Sequence, residues 1–196
     1  MEPSGTADDD AGYRLRELGP ADIAAVQRFF EASPEYFWIV NGEGPRPDEA
    51  RSEFADLPPA GMAYRKMSLL GFYDGSCALI GFANIVADFI VEHVWHVGLF
   101  IVATALHGSG VAASLYALLE RWMIGQGAQW LRLGVVQGSV RAERFWQRCG
   151  YVQVRERGPV AMGRKSNLLR VMAKPLGGGT IAEYLALVER DRPGSA

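Results

Sequence analysis

"HGSGVAASL", His107 to Leu115, places two glycines two residues apart directly before a run of small and apolar side chains. Glycines at a helix start let backbone N–H groups turn toward a ligand, and the helix dipole favours negative charge there. The segment therefore reads as a phosphate-binding turn. Gly108-Ser109-Gly110-Val111-Ala112-Ala113 also satisfies G-x-G-x-x-G/A, the pattern of dinucleotide-binding proteins. That pattern needs a strand running straight into the first glycine and an acidic residue about 20 positions on, at the end of the next strand. Here "ATALH" separates the preceding strand from Gly108, and the next strand ends in Val135-Val136-Gln137 without a carboxylate. The surroundings of the turn weigh against a nicotinamide cofactor.

Working outward, three apolar runs precede the turn: "RKMSLLGFYD", "SCALIGFANIVADF" and "EHVWHVGLFIV", the first two joined at Asp74-Gly75, a strong hairpin signal. "YRLREL" from Tyr13 predicts an earlier strand. Ile23, Val26, Phe29 and Phe30 have helical spacing, and a short helix is expected from Asp48 to about Asp56, ahead of Pro58-Pro59. Between them "EASPEYFWIVNGEGPRP" reads as a loop, whose Tyr36, Phe37 and Trp38 either pack inside or line a ligand site. After the turn, Val111, Leu115, Leu118, Leu119 and Trp122 continue a helix that stops near Gly125 and Gly127. Then come a strand "WLRLGVVQ", a helix "SVRAERFWQRC" capped by Ser139 and ended by Gly150, a strand "YVQVRE" and a strand "SNLLRVMAKPL". The expected class is mixed α/β, with a central, largely antiparallel sheet of about six to seven strands flanked by about four helices. Residues 1–11 are expected to form a flexible tail, 12–176 the domain, and 177–196 a glycine linker with a short terminal helix.

Composition narrows the function classes. The 196 residues are 49% hydrophobic and 21% charged, ordinary for a soluble globular protein. With 20 basic and 22 acidic side chains, a net charge of −2 leaves no electrostatic footprint for nucleic acid. The stretch from Cys77 to Leu106 is apolar, but Asn84, Asp88, Glu92, His93 and His96 interrupt it, so buried strands are expected rather than a membrane span. Two cysteines and no cationic, apolar leader favour a reducing cytoplasm. No metal is expected, since neither cysteine has a partner at ligand spacing and His93, His96 and His107 form no helical ligand pair.

Two motifs at the right separation give a sharper reading. His107-Gly108-Ser109-Gly110-Val111-Ala112 resembles the Gln/Arg-x-x-Gly-x-Gly/Ala signature of the GNAT family of acyl-CoA-dependent N-acetyltransferases, with His in the first place. Ser139, Ala142, Phe145-Trp146 and Gly150-Tyr151 fall where that family often shows Asn, Ala, an aromatic pair and Gly-Phe or Gly-Tyr. The resemblance implies the GNAT fold and acetyl-CoA as cosubstrate. It implies that backbone groups of Phe100, Ile101 and Val102 hold the pantetheine arm, with one main-chain N–H polarising the thioester carbonyl. It further implies that His107 to Ala112 take the pyrophosphate, and that Ser139, Ala142, Phe145 and Trp146 border the cofactor. An amine nucleophile must lose a proton, so a base is expected near the start of the central strand. Alternation puts Glu92, Val94, His96 and Gly98 on one face, making Glu92 and His96 the candidates.

Trp146 stands where many members of the family have a tyrosine thought to protonate the leaving thiolate, and an indole N–H does not release a proton at useful pH. Water could take that role, because a thiolate of pKa about 8.5 leaves readily. Cys149 reads as a packing thiol. The expected activity is acetyl transfer to a primary amine of a small molecule, peptide or protein. The alternative is a GNAT-fold module that binds acyl-CoA without transferring it. The terminal "IAEYLALVERD" could pack onto its own domain or onto a second subunit, giving a homodimer.

Overall fold

The computed structural model describes residues 6–8 and 12–195. In chain order the elements are β1 (Thr6–Asp8), β2 (Arg14–Glu17), α1 (Ile23–Ala32), α2 (Glu35–Val40), α3 (Glu49–Ala55), β3 (Lys66–Tyr73), β4 (Leu79–Ala87) and β5 (Val94–Val102). There follow α4 (Val111–Gly125), β6 (Trp130–Val136), α5 (Val140–Arg148), β7 (Val152–Met162), β8 (Lys165–Pro175) and α6 (Ile181–Leu187). The eight strands form one sheet in the order β1-β2-β3-β4-β5-β6-β8-β7. Only β5 and β6 run parallel, joined by the α4 crossover; the other neighbours are antiparallel. This is the expected mixed, largely antiparallel α/β sheet.

Side-chain period decides which helix covers which face. On α4, Leu115, Leu118, Leu119 and Met123 are fully buried against Leu70, Phe72, Ile85 and Leu131, with Trp146 of α5 in the same cluster. Each such side chain contributes about 1.5–3 kcal/mol by leaving water. The opposite face packs Leu69, Phe82, Leu99 and Ile101 against Val26, Phe29 and Phe30 of α1 and Phe37 of α2. Farther along that face, α6 buries Tyr184, with Val188 just beyond it, against Val94, Trp130 and Ala173.

Three sequence expectations change, and a fourth is narrowed. Glu35–Val40, read as loop, is a helix: Phe37 enters the core and anchors it, while Trp38 stays 56% exposed. Thr6–Asp8, placed in the flexible tail, is a strand paired with Arg14–Arg16; the other residues of 1–11 lie outside the described set. The terminal helix, expected to pack on its own domain or on a second subunit, packs on its own domain. Thr180 caps α6 through the Glu183 N–H at 3.2 Å, and Tyr184, Val188 and Asp191 are buried in the domain. Finally, the alternation along β5 does not persist. Asn84 pairs with Leu99 but Ile85 with Val97, so Gly98 is the extra residue of a bulge. Before it, Trp95 and Val97 face α4; after it, Phe100 and Val102 do, while Leu99 and Ile101 face α1.

Candidate active site

Beyond that bulge the sheet opens. β5 and β6 pair from Val94↔Trp130 to Val97↔Leu133 and then part, although β5 runs on to Val102 and β6 to Val136. The main chain from Gly98 to Val102 therefore has β4 on one side and no strand on the other. Such an edge carries N–H and C=O groups that can hold an extended ligand. Phe100 in this segment stacks on Phe145 of α5, their ring centroids 6.0 Å apart.

At the far end of β5 a single 3-10 turn, Thr104–Leu106, leads into the glycine segment. Gly108 and Gly110 have φ of +84° and +89°, a backbone that only glycine enters without strain, and a Cβ at either would point into open space. Among the described residues the N–H groups of Gly108, Gly110 and Ala112 have no acceptor, at the N-terminus of the 15-residue α4. This is an anion cradle made of backbone. The His107 side chain points elsewhere: Nε2 lies 3.0 Å from the Val102 carbonyl oxygen and Nδ1 2.8 Å from Glu35 Oε2. Arg141 of α5 closes the set at 2.8 Å from Glu35 Oε1. His107 thus ties the end of β5 to α2 and positions the turn, and the groups the turn leaves free are main-chain N–H. The Arg141 hydrogen bond holds the Glu35 carboxyl below its ordinary pKa against burial, with Arg141 and His107 adding to it.

Ser139 is the N-cap residue of α5, but its side chain makes no capping bond. Glu143 instead ties the helix start to the preceding turn, accepting the Gly138 N–H at 2.9 Å while bonded to Arg170 at 2.9 Å. Ala142 and Phe145 are partly buried on the face that meets the aromatic cluster, whereas Trp146 is buried among Phe100, Tyr116 and Tyr151. Trp146 is a core residue. Burial pushes the Cys149 thiol up to about 11, so it too is poorly suited to donate a proton at neutral pH.

The two base candidates separate. Glu92 lies in the turn before β5, 79% exposed and 3.6 Å from His93, at the opposite end of the strand from the opening. Period-two alternation gives the face but not the distance along the strand, and Glu92 falls outside the site. His96 does face the site, stacked on Phe89 with ring centroids 4.9 Å apart. Burial, with the Arg132 charge adding to it, pushes its pKa down to about 3. It is a neutral imidazole and a feeble base; Arg132 Nη1 lies 3.3 Å from its Nδ1.

Sequence reasoning missed a half-buried carboxylate beside the bulge. Glu53 of α3 accepts the Asn84 side-chain N–H at 2.6 Å, and Asn84 lies against the Gly98 bulge. Burial raises the Glu53 pKa, the Asn84 bond opposes this, and the charges of Asp56 and Glu49 raise it further. Asn84 Oδ1 is buried without a hydrogen-bond partner among the described residues, a condition that costs about 1–3 kcal/mol. Tyr36 of α2 feels the same carboxylate: burial first, then Glu53 and Glu49, raise its phenol. Nothing in the spacing of α3 marks Glu53; its role comes from a contact with β4, 31 residues away.

Beside Asn84 and Gly98 is a cavity of about 220 Å³ that Arg132, Arg157 and Arg190 also line. The tip of the β7 and β8 hairpin crosses to α2, with Lys165 Nζ donating to the Ile39 carbonyl at 2.8 Å and Asn167 to that of Val40 at 2.8 Å. Among the described residues no group of His, Cys, Asp and Glu could hold a metal ion, and no helix is long and apolar enough to cross a membrane.

A model of the acetyltransferase (GNAT) family matches residues 23–151. Among solved structures the chain is similar to an acetyltransferase from Thermus thermophilus, with a TM-score of 0.66 at 19% identity, covering 84% of this chain and 97% of that one. A GCN5-related N-acetyltransferase from Kribbella flavida gives 0.62 at 20% identity, covering 86% and 100%. Spermidine N-acetyltransferase from Vibrio cholerae, in complex with CoA and spermine, gives 0.65 at 15% identity, covering 85% and 96%. At such identities these likenesses concern the fold. No curated protein matches the chain.

Proposed function

The chain belongs to the acetyltransferase (GNAT) family, and on that premise we propose that it moves an acetyl group from acetyl-CoA to a primary amine by direct attack in a ternary complex. The observation that carries this reading is the parting of β5 and β6 after Val97, with free main-chain N–H groups at one end and the half-buried Glu53 carboxylate at the other. The residues fit the cosubstrate. Gly108, Gly110 and Ala112 offer free N–H groups for a pyrophosphate, with Ser109 and Val111 completing the turn. The edge of β5 from Phe100 to Val102 that faces away from β4 suits a pantetheine arm, and Ala142 and Phe145 flank it from α5. Bound there, acetyl-CoA supplies the electrophilic thioester carbon.

Glu53 is the base in this reading. Its carboxylate stands at the bulge, bonded to Asn84, where an incoming amine would reach the opening. A raised pKa brings a carboxylate closer to the pH at which it must work, the usual tuning of a general base. A main-chain N–H of the β5 edge meets the negative charge that develops on the carbonyl oxygen. In this reading neither Trp146 nor Cys149 protonates the leaving thiolate, which departs as such or takes a proton from water.

The test is Glu53→Gln, which keeps the Asn84 hydrogen bond. We expect kcat to fall by about 10²-fold or more, acetyl-CoA affinity to persist, and the acid limb of the pH–rate profile to disappear. Stability should not fall. A carboxyl whose folded pKa is raised contributes stability below its unfolded pKa, about 4.3, and loses it as pH rises through the folded value, so a neutral amide suits the site at pH 7. Absence of CoA binding by the wild type would remove the whole reading. Tight CoA binding with no free thiol released across a broad amine panel would favour the second reading, a non-catalytic acyl-CoA-binding module, which Trp146 motivates.

A further inference from the structure

The cavity beside the bulge carries opposite charges at its two ends, and from this we infer that the acceptor is a small zwitterion, an amine bearing its own anionic group of carboxylate or phosphonate type. The inference rests on the acetyl-transfer reading and names its substrate class.

At the basic end stand three guanidinium groups. Arg132 is already neutralised: its Nε and Nη2 bond Asp191 at 2.7 and 2.9 Å, and both residues are buried. Arg157 and Arg190 have no carboxylate within ion-pair distance among the described residues, although both line the cavity. Arg157 is instead crowded by like charge. After burial, the forces that lower its pKa are the charges of Arg190, Arg132 and Arg155, against a raising contribution from Asp191. Elsewhere around the site cations are paired, as Arg141 is with Glu35 and Arg170 with Glu143. Two arginines that line one cavity without an ion-paired carboxylate, Arg190 giving one donor to the Met62 sulfur, can receive an anion, since their planar donor forks match carboxylate and phosphonate oxygens.

The acidic end lies toward the bulge. Asp56 lines the cavity, and its charge is felt by Glu53, which holds Asn84. Asn84 Oδ1, buried and unpartnered, can accept only from a donor that the chain does not supply. An amine N–H is such a donor, and at this position it lies beside Glu53. His96, neutral between the two ends, adds no charge. At about 220 Å³ the cavity is smaller than the roughly 300–1,000 Å³ of sites for drug-sized ligands, which selects an acceptor of amino-acid size. A polycationic amine would satisfy the acidic end and meet Arg157 and Arg190 with like charge.

The experiment is a specificity profile of the full chain with acetyl-CoA, read as free thiol released. The panel is the ω-amino carboxylates from glycine upward, acidic α-amino acids, aminoalkylphosphonates, the amide of each carboxylate, and spermidine. We expect one amine-to-anion span to give a maximum, and kcat/KM for the best anionic acceptor to exceed that of its amide by about ten- to hundredfold. Carboxylates and phosphonates of that span tell the two anions apart. Arg157→Gln and Arg190→Gln should each cut that ratio severalfold or more; both side chains are at least partly exposed, so the variants should fold. Turnover of amides or spermidine as efficient as that of the anionic acceptors would overturn the inference and leave acetyl transfer standing. Absence of both CoA binding and turnover would remove acetyl transfer itself.

Discussion

In the proposed site, one flank of the opening between β5 and β6 works through main-chain atoms and the other through side chains drawn from six separate parts of the fold. The cofactor flank runs from Gly98 to Val102 and from Gly108 to Ala112, a single stretch of sequence. The acceptor flank takes Glu53 from α3, Asn84 from β4, His96 from β5, Arg132 from β6, Arg157 from β7 and Arg190 from beyond α6. A backbone site depends on local conformation and tolerates changes of side chain, provided the glycines stay. A site of converging side chains depends on how the elements pack, so a change far along the chain can reach it.

The sharpest way to break that contrast is Asp191→Ala, which leaves the buried Arg132 charge without its partner. Such a loss is expected to cost about 3–5 kcal/mol of stability, readable by denaturant unfolding. A cost below about 1 kcal/mol would mean that the segment after α6 does not dock as described. Burial alone would raise the Asp191 pKa, but the Arg132 hydrogen bonds and charge, with a bond from Tyr184, outweigh it and hold the carboxyl low. Its stabilisation is therefore complete above the unfolded pKa of about 3.9 and is lost as pH falls through the lower folded value. Asp191→Asn should flatten the acid limb of the stability curve in that window.

Gly110→Ala probes the cofactor flank. The backbone at φ +89° costs an L-residue about 1–2 kcal/mol, and the new methyl group would stand in the open space beside the free N–H groups. Stability should fall by that amount and CoA affinity with it, while the pH dependence of whatever activity remains keeps its acid limb. If CoA binds Gly110→Ala as tightly as the wild type, the pyrophosphate does not sit on this turn.

The same division explains what the sequence revealed. The glycine turn, the strands around it and α4 and α5 were legible because each follows from local rules: glycine where φ is positive, period two in strands, helical spacing of Leu115, Leu118 and Leu119. Glu92 was a natural choice under strict alternation, but alternation carries no information on how far along β5 the opening begins. The bulge at Gly98 is equally invisible, since only the pairing of Asn84 with Leu99 and Ile85 with Val97 reveals it. Glu35–Val40 looked like a loop because Pro34 and Asn41 bracket only six residues; packing of Phe37 against Phe30, rather than propensity, makes it a helix. Arg157 and Arg190 carry no local signal, because the absence of a partner is a property of the folded molecule.

The smallest expected effect is the one that best separates local from tertiary logic. A serine at a helix start is read as a cap, and its loss ordinarily costs about 1 kcal/mol. Ser139 makes no capping bond, so Ser139→Ala should change stability by less than about 0.5 kcal/mol. The tie at the helix start is Glu143, whose pKa is held down first by the Gly138 N–H and, against burial, by Arg170. Glu143→Ala frees that N–H and leaves Arg170 with only Glu156 and Gln153, and should cost about 1 kcal/mol in thermal unfolding. The ranking of the two variants matters more than either value. If Ser139→Ala proves the more costly, the start of α5 is set by its own sequence, and the tie through Arg170 to β8 adds nothing to it.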